Sequence, residues 1–164
     1  MNLFLDSMMY LNPVPAEEID FRTLLDSTSV TVRVPPVTLT ILEGLKSSHS
    51  PNVRSRSAWA LNFLAKALCS RVAGRHGTVW LSSPALGLAE MARYGLDSAC
   101  SEDCFVAAAL HCKSSHGSQR TVVMTDDIEA QLTCGHLQIE TAHLPFQFRN
   151  PRFAARQKYA QRLG

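Results

Sequence analysis

The chain lacks any paired-cysteine motif. Cys69, Cys100, Cys104, Cys112 and Cys134 are odd in number and none is spaced as CxxC. That pattern argues against a disulfide framework and a zinc ribbon. The neighbours His111 and Cys112, and the nearby Cys134 and His136, read as ordinary thiols and scattered imidazoles rather than zinc ligands. No apolar run approaches the roughly 18 residues needed to span a membrane. The opening Met1-Asn2-Leu3-Phe4-Leu5 is short, has no basic start and runs into Asp6, so a signal peptide is not expected and the expected location is the cytoplasm. GxGxxG and GxxxxGKS/T phosphate loops, the GxSxG elbow and HExxH are all missing, which removes the commonest nucleotide-binding, esterase and zinc-protease readings.

Acids are missing from two long intervals. None falls between Glu43 and Glu90, where Lys46, Arg54, Arg56, Lys66, Arg71 and Arg75 lie, and none follows Glu140, where Arg149, Arg152, Arg156, Lys158 and Arg162 lie. Basic segments beside clustered acids suit a polyanion held against a metal site. The plainer reading is solvated helix faces. Net charge is only +2, and 46% hydrophobic with 18% charged residues describes an ordinary globular chain. At 164 residues it suits one domain with a full core.

What is present is an alternation of short apolar runs and helical patterns. Strands are predicted at Asn2 to Leu5, Ser29 to Val34, Thr78 to Leu81, Thr121 to Thr125 and Leu137 to Thr141. Between them, helical spacing predicts a short helix over Ala16 to Leu25, one starting at Pro35-Pro36, and a long one from about Val53 to Val72. Further helices are expected from Ser83 to Tyr94, from an N-cap at Ser101 to Lys113, and from Asp127 to Thr133 with Gly135 closing it. This order implies an α/β fold, a three-layer α/β/α sandwich around a mainly parallel sheet of about five strands. The domain is expected to run over 1–149, with a basic tail over 150–164.

Strand ends carry the acids. Asp6 ends the first strand, Asp126 and Asp127 follow the fourth, Glu102 and Asp103 open a helix, and Glu43 lies on the helix after Pro35-Pro36. Ligands of open α/β sheets bind at the carboxyl ends of strands, and hard cations such as Mg²⁺ and Mn²⁺ prefer carboxylate oxygens. Helix capping would explain each acid taken singly.

The order Leu5-Asp6-Ser7, Val34-Pro35-Pro36-Val37, Glu102-Asp103 before an alanine-rich helix, and Thr125-Asp126-Asp127 resembles the PIN-domain nucleases. Their signature stretches are LDTN, a strand ending in PP before a glutamate-bearing helix, D-x-x-I, and T-N-D. The resemblance covers roughly Leu3 to Pro145, and Glu18-Ile19-Asp20-Phe21-Arg22 together with Lys46, His49 and Val53 to Ala58 is similar to a bacterial branch. It implies an α/β/α fold and Mg²⁺- or Mn²⁺-dependent cleavage of RNA. Asp6, Asp103 and Asp127 are then expected as metal ligands, with Glu43 or Glu102 assisting and Lys46, Arg54 and Arg56 on phosphates. Ile41 stands where the family has its glutamate and Met8 where it has asparagine, while Glu43 lies about 200° around the helix from Ile41. Asp103 keeps the family's residue type in the third motif, with Glu102 the alternative. An impaired module binding RNA or a protein partner, and a toxin-like nuclease held by an antitoxin-like protein, are the competing readings. Expected partners are RNA and a second copy in a homodimer, with no membrane.

Overall fold

A computed structural model describes residues 1–70 and 74–149, with the side chain of Arg75 left out. The predicted end of the long helix at Val72, Arg71, and the basic tail from Asn150 lie outside the described residues.

Five strands, β1 (Asn2–Leu5), β2 (Thr31–Val34), β3 (Val79–Ser82), β4 (Thr121–Met124) and β5 (Glu140–Ala142), form one sheet in the order β3-β2-β1-β4-β5. Every pairing is parallel, with Leu3 opposite both Val32 and Val122. β1 and β4 run apolar without alternation over Leu3-Phe4-Leu5 and Val122-Val123-Met124 because both faces are covered, and every residue of the two strands is buried.

The helices are α1 (Phe21–Leu24), α2 (Pro36–Leu45), α3 (Pro51–Ser70), α4 (Leu88–Arg93), α5 (Ser101–Ser115), α6 (Ile128–His136) and α7 (Phe146–Arg149). Leu3, Leu5, Val32 and Met124 pack with Leu42 of α2 and Ala60 and Leu64 of α3, while Phe4 and Val123 pack with Phe105, Val106, Ala108, Ala109 and Leu110 of α5 and Ala130 and Cys134 of α6. Alternate residues of one strand thus feed opposite layers. The result is the expected α/β/α sandwich with an all-parallel sheet. Trp80 anchors the first layer, fully buried and edge-on to Phe63 at 5.0 Å between centroids. Among the described residues no helix is long and apolar enough to cross a membrane.

Boundaries differ where side chains outbid periodicity. The predicted helix over Ala16 to Leu25 is a 3₁₀ turn at Ala16–Glu18 followed by α1, because the Asp20 carboxylate takes the Thr23 amide at 3.2 Å and hydroxyl at 2.8 Å and starts a new turn. α4 begins only at Leu88, after an extended stretch containing Pro84. α5 is capped by Cys100 without a side-chain bond, not by Ser101. α6 runs through Gly135 and is terminated by Gln138 at φ 56°, which moves β5 beyond Leu137 and Ile139.

Candidate functional site

The chain runs outward from β1 through β2 to β3 and then returns to the other side of β1 for β4. That reversal opens a crevice beyond the carboxyl ends of β1 and β4. A cavity of about 400 Å³ lies there, lined by Asp6, Glu102, Asp126 and Asp127. Its other wall is apolar, with Met9, Ile41, Leu45 and Phe105.

Asp6 directly follows β1, its amide bonded to the Met124 carbonyl at 3.0 Å. Oδ1 accepts from the Ser7 hydroxyl at 3.1 Å and the Met8 amide at 3.2 Å, capping a 3₁₀ turn over Ser7–Leu11. Oδ2 accepts from the Thr125 hydroxyl at 2.7 Å. The same Thr125 oxygen accepts from the Asp127 amide at 3.0 Å, so one buried hydroxyl joins the ends of β1 and β4. Asp127 caps α6 by accepting the Ala130 amide on Oδ1 at 2.9 Å. Capping and convergence are therefore both true of Asp6 and Asp127.

The remaining acids separate. Glu102 lines the cavity and accepts a thiol contact from Cys100 at 3.3 Å. Asp103, the preferred third ligand, does not line it and accepts the Asp97 amide at 2.7 Å instead. Glu43 lines a different groove, between α2 and α3, and pairs with Lys46 at 2.6 Å. Ile41 faces the acids in its place. Arg54 bonds the carbonyls of Ser48 at 2.7 Å and His49 at 3.2 Å, and Arg56 bonds that of Leu11 at 2.5 Å, each spending donors locally.

Sequence reasoning gave Thr125, Thr38 and Arg149 no role at the site, although Thr125 opens the fourth motif and Arg149 a basic segment. Thr38 lines the cavity with a buried hydroxyl that has no partner. Tyr10, buried nearby with an unpartnered hydroxyl, is held neutral: burial first, and then the Asp6 charge, push its phenol above the ordinary range. A threonine between a strand and two acids was a readable signal for Thr125; nothing local marks Arg149, whose partner Asp126 lies 23 positions away.

Among the described residues, no three His, Cys, Asp or Glu side chains stand together as a ready ligand group. The donor chemistry still suits the ion that the resemblance implies. Mg²⁺ usually keeps several waters and binds through one or two carboxylates plus substrate phosphates. Each carboxylate oxygen offers two lone pairs, so Oδ2 of Asp6, which accepts one bond, has a lone pair in reserve, and Asp127 caps through Oδ1 alone. No protein-family model matches the chain, and no curated protein matches it at a significant level.

Proposed function

We propose that this protein is a metal-assisted endoribonuclease of PIN type, acting in the crevice beyond β1 and β4. The observation supporting this reading is that Asp6 and Asp127, far apart in the sequence, share one threonine hydroxyl at a cavity that Glu102 and Asp126 also line. Asp6 and Asp127 would hold Mg²⁺ or Mn²⁺, with Glu102 as a further oxygen donor in place of Asp103 and Glu43. Such an ion supplies a water acidified enough to attack at neutral pH and charge to offset the phosphoryl oxygens. Thr125 fixes the two acids relative to each other before substrate arrives. The apolar wall of Met9, Ile41 and Phe105 limits bulk water on one side and strengthens the field of the acids. Lys46, Arg54 and Arg56 retain further N–H donors with which to meet RNA phosphates.

Incubating the protein with a mixed RNA in Mn²⁺ or Mg²⁺, with and without chelator, tests this. Cleavage should need the metal and should fall to background in Asp6→Asn. Asparagine caps helices as well as aspartate does, so this variant should keep its fold; cleavage that persists in it contradicts the reading.

A second reading is favoured by Ile41 in the cavity wall and the lack of a three-ligand group among the described residues. A catalytically impaired module would bind RNA with an affinity that falls steeply with salt, and would cut none at any metal concentration.

A further inference from the structure

Arg149, at the end of α7, reaches back to the cavity. Its Nη2 donates to Oδ1 of Asp126 at 2.7 Å, and its Nη1 lies 2.6 Å from Oδ2. This is the two-pronged geometry in which guanidinium and carboxylate bind most strongly. His143 Nδ1 adds a contact to Oδ1 at 3.3 Å. Among the described residues, Asp126 is the one cavity acid held in an ion pair.

We propose that Arg149 is a latch that withholds Asp126 from a divalent cation, and that a phosphate of a bound nucleic acid releases it. The inference rests on the cation site of the proposed function, not on cleavage. Phosphate competes for the same guanidinium because it offers the same bidentate oxygens. The Nε–H of Arg149 is buried without an acceptor, so the guanidinium keeps one donor that the Asp126 pair does not use. The sequence just after Arg149 carries Arg152, Arg156, Lys158 and Arg162 with no acid, which favours a polyanion as the competing ligand. When the guanidinium turns to phosphate, Oδ2 of Asp126 becomes free for the ion and Oδ1 keeps only its contact with His143. Cation and nucleic acid then strengthen each other's binding by the same factor.

The test is calorimetric titration of Mn²⁺ into the whole chain without nucleic acid, for wild type, Arg149→Gln, Asp126→Asn and the double variant. Arg149→Gln should bind Mn²⁺ about fivefold or more tighter. Asp126→Asn should bind like wild type, and the double variant should show no gain. A single-stranded DNA oligomer should tighten Mn²⁺ binding in wild type but not in Arg149→Gln. Thermal melts confirm that each variant is folded; should Arg149→Gln fail to fold, Arg149→Lys, which keeps the charge but not the fork, should show a smaller gain in the same arms. The latch is overturned if removing the fork does not tighten binding, or if the gain persists without Asp126, which would make it a general effect of lost positive charge. Tightening in a protein that cuts no RNA would sink the nuclease reading and leave the latch standing.

Discussion

Thr125 carries a single hydroxyl, and that hydroxyl sets how Asp6 and Asp127 meet. It donates to one acid at 2.7 Å and accepts from the backbone of the other at 3.0 Å, fully buried. Thr125→Val keeps the shape and strands both partners, so it should cost about 1–3 kcal/mol. Thr38, equally buried but unpartnered, gives the control: Thr38→Val should be neutral or stabilising, because no bond is lost and a buried orphan is removed. Urea unfolding should show a loss for Thr125→Val and none for Thr38→Val; equal losses would mean the hydroxyl bonds do not matter. At this scale the sequence reveals Asp6 and Asp127, since an acid ending an apolar run is visible locally. It does not decide between Glu102 and Asp103. Neighbours on a helix point about 100° apart, and only the packing of α5 determines which one faces the cavity.

α5 is positioned by its aromatic contact with the central strand. Phe105 meets Phe4 edge-on, with ring centroids 6.3 Å apart and planes at 77°. This contact ties the start of the helix, and hence Glu102, to the end of β1. Phe105→Ala should cost about 3–5 kcal/mol, and it should also lower any cation affinity of the cavity, because Phe105 is part of its wall. Stability falling with unchanged Mn²⁺ affinity would show that α5 does not hold the site. Elements buried on both faces, such as β1 and β4, were legible because their apolar runs are unbroken. β5 was placed early because Leu137-Gln138-Ile139 alternates like a strand, whereas those residues form the exit of α6: the Ile139 amide bonds the Cys134 carbonyl at 2.8 Å. Periodicity cannot distinguish a strand from a helix exit over so few residues.

The sheet has the acid-lined cavity beyond its carboxyl ends and the Arg120–Glu140 ion pair at its amino-terminal side. At the amino-terminal edge, Arg120 beside β4 binds Glu140 of β5, with Nε to Oε2 at 2.8 Å and a second bond from Nη2 to Oε1, and also reaches the Leu25 carbonyl at 2.9 Å. The Arg120 hydrogen bond is the main cause that lowers the Glu140 pKa. A depressed carboxyl stabilises the fold above its unfolded pKa, about 4.3, and that contribution is lost as pH falls through the lower folded value. Both side chains are nearly half exposed, 44% and 47%, so the contribution should stay below about 1 kcal/mol. Glu140→Gln should therefore be slightly less stable at neutral pH, and urea midpoints should converge with wild type on acidification. A gap that stays constant with pH would exclude the ion pair as its source.

The carboxyl-terminal edge carries the central claim, that acids from distant strands form one cation-binding, RNA-cleaving site. The parallel, helix-covered sheet behind it was implied by the alternation of elements, whereas the strand order β3-β2-β1-β4-β5 and the pairing of Asp126 with Arg149 depend on tertiary approach and left no local trace. The most direct measurement is calorimetric titration of Mn²⁺ into wild type and Asp6→Asn/Asp127→Asn, followed by a cleavage assay on the same samples. The account predicts that wild type binds Mn²⁺ and cuts RNA, and that both are lost in a double variant that still melts cooperatively. A wild type that neither binds Mn²⁺ nor cleaves would contradict it, leaving Asp6 and Asp127 as caps at the ends of two strands.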